Sequence, residues 1–454
     1  MSRFEGRQTR SLHGCLEWCS VDTCAHPDCD ACGEEQGCDR VVESESHKAC
    51  ASWCNRYTCS LDACLQCSKA DAGCEGRDPP SPPSPPPHPV WPPLPQLSLG
   101  TWHPSEYYTY SSSIYTNAFG SNGMPARLRI KGAAWFGLES SACHIGGADQ
   151  RPIESSVAWL KAHGFNAVRI PFAADAVVER HHNCTDRGNL DGISVHNPRL
   201  LRMHYRQRIE EVVKACGDAG LLVLLDAHVT NVGVWPDGGK VDERGGALLT
   251  QAWETLAREM CDPELYWNVM GADLKNEPYF MYWGPPTSLF NLGYRQADRW
   301  DILAGELGSL IYRICPRWLS FVQGVGHCMS SDAGPCRLPS APGVQDIETP
   351  TWWGENLQGA QHTPVDVGEQ RKGVGKVVGS PHTYGPSTYP QPQFKKVEYP
   401  DNLPSIWVTQ WAFLASRGVM PVVVGEFGGR CTGDDEVFQR RLVQFLTERS
   451  IGGF

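Results

Sequence analysis

Glu277 stands in the stretch Asp273-Leu274-Lys275-Asn276-Glu277-Pro278, directly after the apolar run Trp267-Asn268-Val269-Met270-Gly271-Ala272. A run of that length suits a buried strand, and Pro278 has no amide proton with which to continue a ladder, so the strand is expected to close at Glu277. A carboxyl group there, beside the Asn276 amide and followed by Tyr279, Tyr282 and Trp283, is what general-acid attack on a glycosidic bond requires. Such chemistry needs a second carboxylate. Glu426 supplies a candidate at the end of Pro421-Val422-Val423-Val424-Gly425-Glu426-Phe427-Gly428-Gly429, where the following glycines give the loop room to turn. Either glutamate alone is more readily read as a solvated strand end. The pair, with the other strand-end residues below, favours chemistry.

The elements that must position these groups alternate in type from Leu99 onward. Tyr107 to Ala126 is aromatic and turn-rich and reads as a hairpin sealing one end of a barrel. Strands are expected at Arg127–Phe136, Asn166–Phe172, Leu221–Ala227, Val269–Glu277, Trp318–Val325, Gly375–His382 and Val422–Glu426. Helices are expected at Ile153–His163, Tyr205–Ala219, Leu248–Met260, Asp301–Ile314, Ile406–Ser416 and Asp435–Glu448. Alternation of this kind, with a long loop before the sixth strand, implies a parallel sheet, and seven strands in this span fit a (β/α)8 TIM barrel one unit short. The eighth strand would begin at Ile451-Gly452-Gly453-Phe454, where the sequence stops. It reads as a chain cut short, and an unclosed ring with two exposed strand edges is expected to fold poorly or be inactive.

Barrel active sites lie at the carboxyl ends of the strands. On this count Trp135 ends strand one, Arg169 lies on strand two, and Asp226-Ala227-His228 ends strand three. Asn276 and Glu277 follow on strand four, His382 and Tyr384 on strand six, and Glu426 on strand seven. His228 and His382 each admit a plainer reading as satisfied core histidines. Trp135, Trp283, Trp352 and Trp353 are candidate platforms for sugar rings, of which at least one is expected to be structural.

The formal net charge of -11 with no basic block argues against a nucleic-acid footprint and suits a neutral polymer substrate. No apolar run approaches the ~18 residues of a membrane span, so no membrane partner is expected. Twenty cysteines point to an oxidising compartment and a secreted, extracellular protein, although Met1 to Arg10 has no apolar signal-peptide core. Asn183-Cys184-Thr185 is a weak glycosylation match. The eight cysteines of the catalytic region leave connectivity open.

Residues 1–77 carry a tandem repeat: Cys15, Cys19, Cys24, Cys29, Cys32 and Cys38 recur as Cys50, Cys54, Cys59, Cys64, Cys67 and Cys74, with Trp18 and Trp53 in register. Units so small lack a hydrophobic core and read as two disulfide-stapled modules, with zinc binding the less favoured alternative. Tethered to a hydrolase, they suggest targeting to a cell-wall polymer, with Trp18 and Trp53 either stacking on sugar or packing on disulfides. Residues 78–98 form a linker, with eleven prolines between Asp78 and Pro95. Such a segment favours polyproline II and spans up to roughly 55 Å.

From about Arg127 to its end the chain resembles glycoside hydrolase family 5, and within it the branch of secreted endo-β-1,4-glucanases. The matching motifs are WFG at Trp135, VRIPF around Arg169, DAH at Asp226, DLKNEP at Asp273, TWWGENLQGA at Thr351, SPHTYGPSTYP at Ser380 and VVVGEFGG at Val422. The resemblance implies a 99–454 catalytic barrel that hydrolyses internal bonds of cellulose or related β-glucans with retention. Glu277 would be the acid/base and Glu426 the nucleophile, their carboxyls ~5 Å apart. Arg169 would hold Glu426 charged, Asn276 would bond the sugar 2-hydroxyl, and Tyr384 and His382 would position nucleophile and substrate. His228 would contact the sugar or support the arginine. No cofactor and no metal is implied. Ala227 stands where the family often has arginine, and the family's stacking tryptophan on strand eight lies beyond Phe454. A mannanase, a xyloglucanase, a transglycosylase and a non-catalytic wall-binding protein are the competing expectations.

Overall fold

The computed structural model describes residues 103–119, 125–179, 190–237, 243–278, 281–284, 298–326 and 351–454. The cysteine-rich repeats, the linker, Asn183-Cys184-Thr185 and Tyr279 lie outside these residues. Residues Leu99–Phe454 belong to one compact unit.

The tyrosine-rich start folds back on itself. Strands β1 (Tyr107–Tyr110) and β2 (Ser113–Phe119) pair antiparallel around Ser111, whose φ of 51° suits the tight turn, and β3 (Pro125–Leu128) lies on the other side of β2. Tyr107 and Ile114 are buried with Leu222, Leu224, Met270, Leu319, Phe321 and Val378, the inward residues of the main sheet. This is the expected plug. Arg317 locks it in place by donating to the carbonyls of Pro104, Ser105, Tyr266, Trp267 and Val269.

Above the plug, β4 (Gly132–Ala134), β5 (Ala167–Ala173), β6 (Leu222–Val229), β7 (Val269–Asp273), β8 (Leu319–Val322) and β9 (Val377–Gly379) form a parallel sheet in chain order. All seven residues of β5 are buried, as befits a strand covered on both faces. The alternate side chains Val168, Ile170, Val223 and Leu225 face outward into a shared cluster with Ile153, Val157, Ile209, Val212, Leu249 and Trp253 of the surrounding helices. Those helices include Ile153–Ala162, Tyr205–Asp218, Glu243–Glu259, Trp300–Ile314 and Asp434–Arg449, each within a few residues of expectation except for the earlier start at Glu243. A disulfide between Cys261 and Cys315 ties the ends of two of them.

Strand positions six and seven are each divided. Position six comprises β9 and β10 (His382–Tyr384), interrupted at Ser380-Pro381, where proline removes a donor. Position seven comprises β11 (Val423–Val424) and β12 (Glu426–Gly428), interrupted at Gly425. A Cβ on Gly425 would collide with Ser380 Oγ and come within 2.9 Å of His382 Nε2, so only glycine lets the two strands approach here. β10 pairs parallel with β12, setting His382 beside Glu426.

Three expectations need correction. The first strand is not continuous over Arg127–Phe136: Pro125–Leu128 serves the plug, and the barrel strand is only Gly132–Ala134. The fourth ends at Asp273, not Glu277, because the backbone bends after Leu274 and reaches Glu277 with positive φ. The ring is not left open either. β13 (Gly452–Gly453) pairs parallel with β11, while Gly453 bridges Lys131 next to β4 and Val422 bridges Gly379 at the end of β9. Two residues suffice because they meet both neighbours at the lower rim, where Phe454 is 4% exposed and packs against the bare face of Gly132.

Candidate active site

Arg169 projects from the middle of β5 into the barrel and is fully buried. Its Nε donates to Asp273 Oδ2 at 2.9 Å, and its Nη2 lies 3.0 Å from Asp226 Oδ1 and 2.9 Å from Asn276 Oδ1. Its Nη1 donates to Glu426 Oε1. One planar fork thereby gathers four groups from three strand positions, a geometry that lysine lacks. Burial opposes the guanidinium charge, but Asp226, Glu426 and Asp273 outweigh it and raise its pKa.

Glu426 also accepts the Tyr384 hydroxyl. Burial alone would raise the pKa of Glu426, yet His382, Arg169, His228 and the tyrosine hydroxyl carry it far below the carboxylate range. Glu426 is therefore ionised across the physiological range. Burial and the neighbouring Glu426 and Glu277 hold Tyr384 in its neutral, donating form.

Glu277 faces it from the other side. His382 Nδ1 stands between the two, 3.0 Å from Glu277 Oε1 and 3.7 Å from Glu426 Oε2. An oxygen of each carboxylate and a nitrogen of His382 all lie within 4.8 Å of one another. Glu277 reaches this position at φ 45°, in the left-handed region and directly before proline, a conformation that costs a non-glycine residue on the order of 1–3 kcal/mol. Its amide is held by Gln323 Oε1 at 2.8 Å, and Gln323 Nε2 donates in turn to Asp273 Oδ1 at 2.9 Å. Asn276 N donates to Ala227 O at 3.0 Å. Strain is thus maintained by specific bonds on both sides of the bend.

His228 Nδ1 lies 2.7 Å from Asp226 Oδ2. Burial disfavours its charged form, but Asp226 prevails and its pKa rises. Asp273 is raised to about 6, burial outweighing Arg169. Asn276 Nδ2 and His382 Nε2 are buried and have no hydrogen-bond partner among the described residues. Oxygens and nitrogens of Asp226, His228 and Glu426, or of Glu277, His382 and Glu426, are close enough together to reach a common cation. Arg169 already engages Asp226 and Glu426, so neither set is free for one.

All seven polar candidates read from the sequence, Arg169, His228, Asn276, Glu277, His382, Tyr384 and Glu426, converge here. The tryptophans divide. Trp283 is buried in the core with its Nε1 donating to Thr363 O at 2.7 Å, and Trp352 is buried edge-on to Tyr384 at 5.6 Å, so neither offers an open face. Both are corrected from platform to packing, since a buried and an exposed tryptophan look alike in sequence. Trp135 and Trp353 remain partly exposed. Two residues were missed. Trp235 is 48% exposed, 5.1 Å from the His228 ring and 6.3 Å from the Trp353 ring. Its loop is pinned by Asp237 Oδ2, 2.8 Å from the buried Lys275 ammonium. Gln323 is the other. Its place within the expected strand Trp318–Val325 was the available signal.

Residues 123–454 match the family model "Cellulase (glycosyl hydrolase family 5)". An endoglucanase of Paenibacillus polymyxa is 30% identical over 304 residues, 66% of this chain and 67% of that protein. The major extracellular endoglucanase of Xanthomonas campestris pv. campestris is 27% identical over 333 residues, 71% of this chain and 60% of that protein. The chain therefore spans about two thirds or less of these relatives. Among solved structures, an endocellulase of Pyrococcus horikoshii complexed with cellotetraose superposes with a TM-score of 0.63 at 28% identity, covering 77% of this chain and 90% of that one. With the family model matching most of the chain and the carboxylates at the carboxyl ends of a barrel, this protein belongs to glycoside hydrolase family 5, the cellulase family.

Proposed function

We propose that the protein is a secreted, retaining endo-β-1,4-glucanase in which Glu426 is the nucleophile and Glu277 the acid/base. The observation that carries this reading is the approach of the two carboxylates to within 4.8 Å, with Glu426 alone held by a guanidinium. Retaining enzymes keep their carboxyls ~5–5.5 Å apart, which permits direct attack and leaves no room for an intervening water.

Ionised Glu426 attacks the anomeric carbon while Glu277 delivers its proton to the departing glycosidic oxygen. A water then enters, loses a proton to Glu277 and breaks the glycosyl ester, restoring both groups. Tyr384 and Arg169 orient the Glu426 oxygens, and the free Asn276 Nδ2 donates to the sugar 2-hydroxyl. His382 holds Glu277, and His228 supports Asp226 beneath the arginine. Trp135, Trp235 and Trp353 supply ring faces. The relatives named endoglucanase and the cellotetraose held by the archaeal endocellulase favour a β-1,4-glucan. The relative named extracellular and the cysteine content favour secretion. The two cysteine-rich repeats serve as wall-polymer binding modules; equal retention on insoluble cellulose of the full chain and of residues 99–454 would remove that role.

Reducing-end release from a panel of glucans, mannans and xyloglucan tests the whole reading. The wild type should act on β-1,4-glucan, and Glu277→Gln and Glu426→Gln should each lose at least about a hundredfold, the scale of general acid–base effects. Mutants as active as the wild type would end the assignment. Preferential release from mannan or xyloglucan would move the substrate.

A further inference from the structure

Glu355 is a second-layer carboxyl that the reaction does not use. It is 2% exposed, in the loop that carries Trp352 and Trp353. Every partner it has among the described residues is neutral. The Trp352 amide donates to Oε2 at 2.9 Å, and the Thr383 side chain faces the carboxyl. The Gln410 side chain brings a terminal amide atom to 2.9 Å from Oε2 and 3.2 Å from Oε1. That amide can meet a carboxylate with its N–H or, turned over, accept the proton of a carboxylic acid with its oxygen. The elements packed on this carboxyl are its own loop, β10 and the helical turn Val408–Ala412, and they present Trp352, Thr383, Gln410 and Trp411 to it. None of these is charged, and the nearest titratable groups along β10, His382 and Tyr384, are already engaged by Glu277 and Glu426.

Thr383 is the link. It sits between His382, which touches both site glutamates, and Tyr384, which donates to Glu426, while Trp352 packs edge-on against Tyr384. We propose that Glu355 is a positioning residue that, as a neutral acid, fixes Thr383 and Trp352 and so the His382–Tyr384 strand, and whose ionisation ends activity on the alkaline side. Burying a carboxylate without a cation is costly, and the group avoids the charge by keeping its proton. Burial accordingly raises its pKa to about 8, against the opposing pull of the Trp352 amide, Thr383 and Trp411. Once ionised, the carboxyl draws water or rearranges its donors, and β10 loses its backing.

The inference rests on the hydrolase reading, so the test separates the two. Ionisation of the acid/base also removes activity in alkali. An aryl cellobioside with a good leaving group needs no proton for departure, and with it that limb vanishes. On this substrate the wild type should still lose kcat above about pH 8, approaching tenfold per pH unit, whereas Glu355→Gln should hold its rate over the same range. Parallel decline of the two would overturn the proposal, and a wild type inert on every glucan would instead sink the hydrolase reading. If Glu355→Gln does not fold, Thr383→Val decides. Removing a donor to the ionised form should lower kcat and move the wild-type limb to higher pH; an unmoved limb overturns the proposal.

Discussion

Replacing Arg169 by lysine keeps the charge and removes the fork. Arg169 serves four acceptors: Asp273 at 2.9 Å, Asp226 at 3.0 Å, Asn276 at 2.9 Å, and Glu426. They lie around three nitrogens spread over a plane. An ammonium occupies a single point, so about two of the four contacts are lost. Hydrogen bonds to charged groups contribute roughly 1.5–3 kcal/mol each, which puts the total loss at about 3–6 kcal/mol. If one of the lost contacts is that to Glu426, about 1.5–3 kcal/mol falls on the reaction, or roughly 10- to 150-fold in kcat/KM. The remainder falls on folding.

The pH dependence gives the same prediction a sign. Glu426 has a depressed folded-state pKa, so it contributes stability above its unfolded value of ~4.3 and loses that contribution as pH falls through the folded value. Arg169→Lys lets that value climb, and Asp273, already raised to about 6, climbs with it. The acid limb of kcat/KM on a soluble β-1,4-glucan should move to higher pH in the variant. The difference in urea midpoint between variant and wild type should be widest near neutrality and narrow in acid. Rates within threefold of wild type, together with an unmoved acid limb, would refute the claim that this guanidinium keeps Glu426 ionised.

Trp235→Ala should raise KM for long cello-oligosaccharides about two- to tenfold, the value of one stacked ring at ~0.5–1.5 kcal/mol, with little change for the shortest substrates; an equal effect at every length would remove Trp235 from the binding surface. Phe454→Ala should cost about 3–5 kcal/mol in urea unfolding, since the ring fills the space beside Gly132 where the first and last strands meet. An unchanged midpoint would mean that the barrel does not depend on this closure.

Glu277 and Glu426 were legible because each follows an apolar run and is followed closely by proline or glycine, and the barrel rule then places strand ends together. Arg169, Asn276, His382 and Tyr384 followed from the same rule. What was not legible depends on backbone detail or on distance in sequence. The bend that gives Glu277 a φ of 45° is set by Gln323, 46 residues away, and no local pattern announces it. The breaks at Pro381 and Gly425 were hidden inside runs read as single strands, and in fact they let β10 and β12 pair at the upper rim. In sequence Trp283 and Trp352 look no different from partly exposed tryptophans, and only packing distinguishes them. The start of the last strand at Ile451–Phe454 was legible, but that two residues of it, Gly452 and Gly453, suffice to close the ring was not.

The two glutamates show how the fold divides roles that their sequences leave equal. Both sit after apolar strands, both are flanked by residues that break regular structure, and neither stretch marks which would be nucleophile and which acid/base. Glu426 lies on a regular strand, where it meets Arg169 from across the barrel and Tyr384 from the adjoining strand, and both contacts favour its anion. Glu277 is carried on a strained bend, beyond the reach of the guanidinium that binds Asn276 one residue earlier, and its side chain meets His382. The one-residue displacement between Asn276 and Glu277 at the bend before Pro278 therefore gives the guanidinium to the proposed nucleophile and the imidazole to the proposed acid/base.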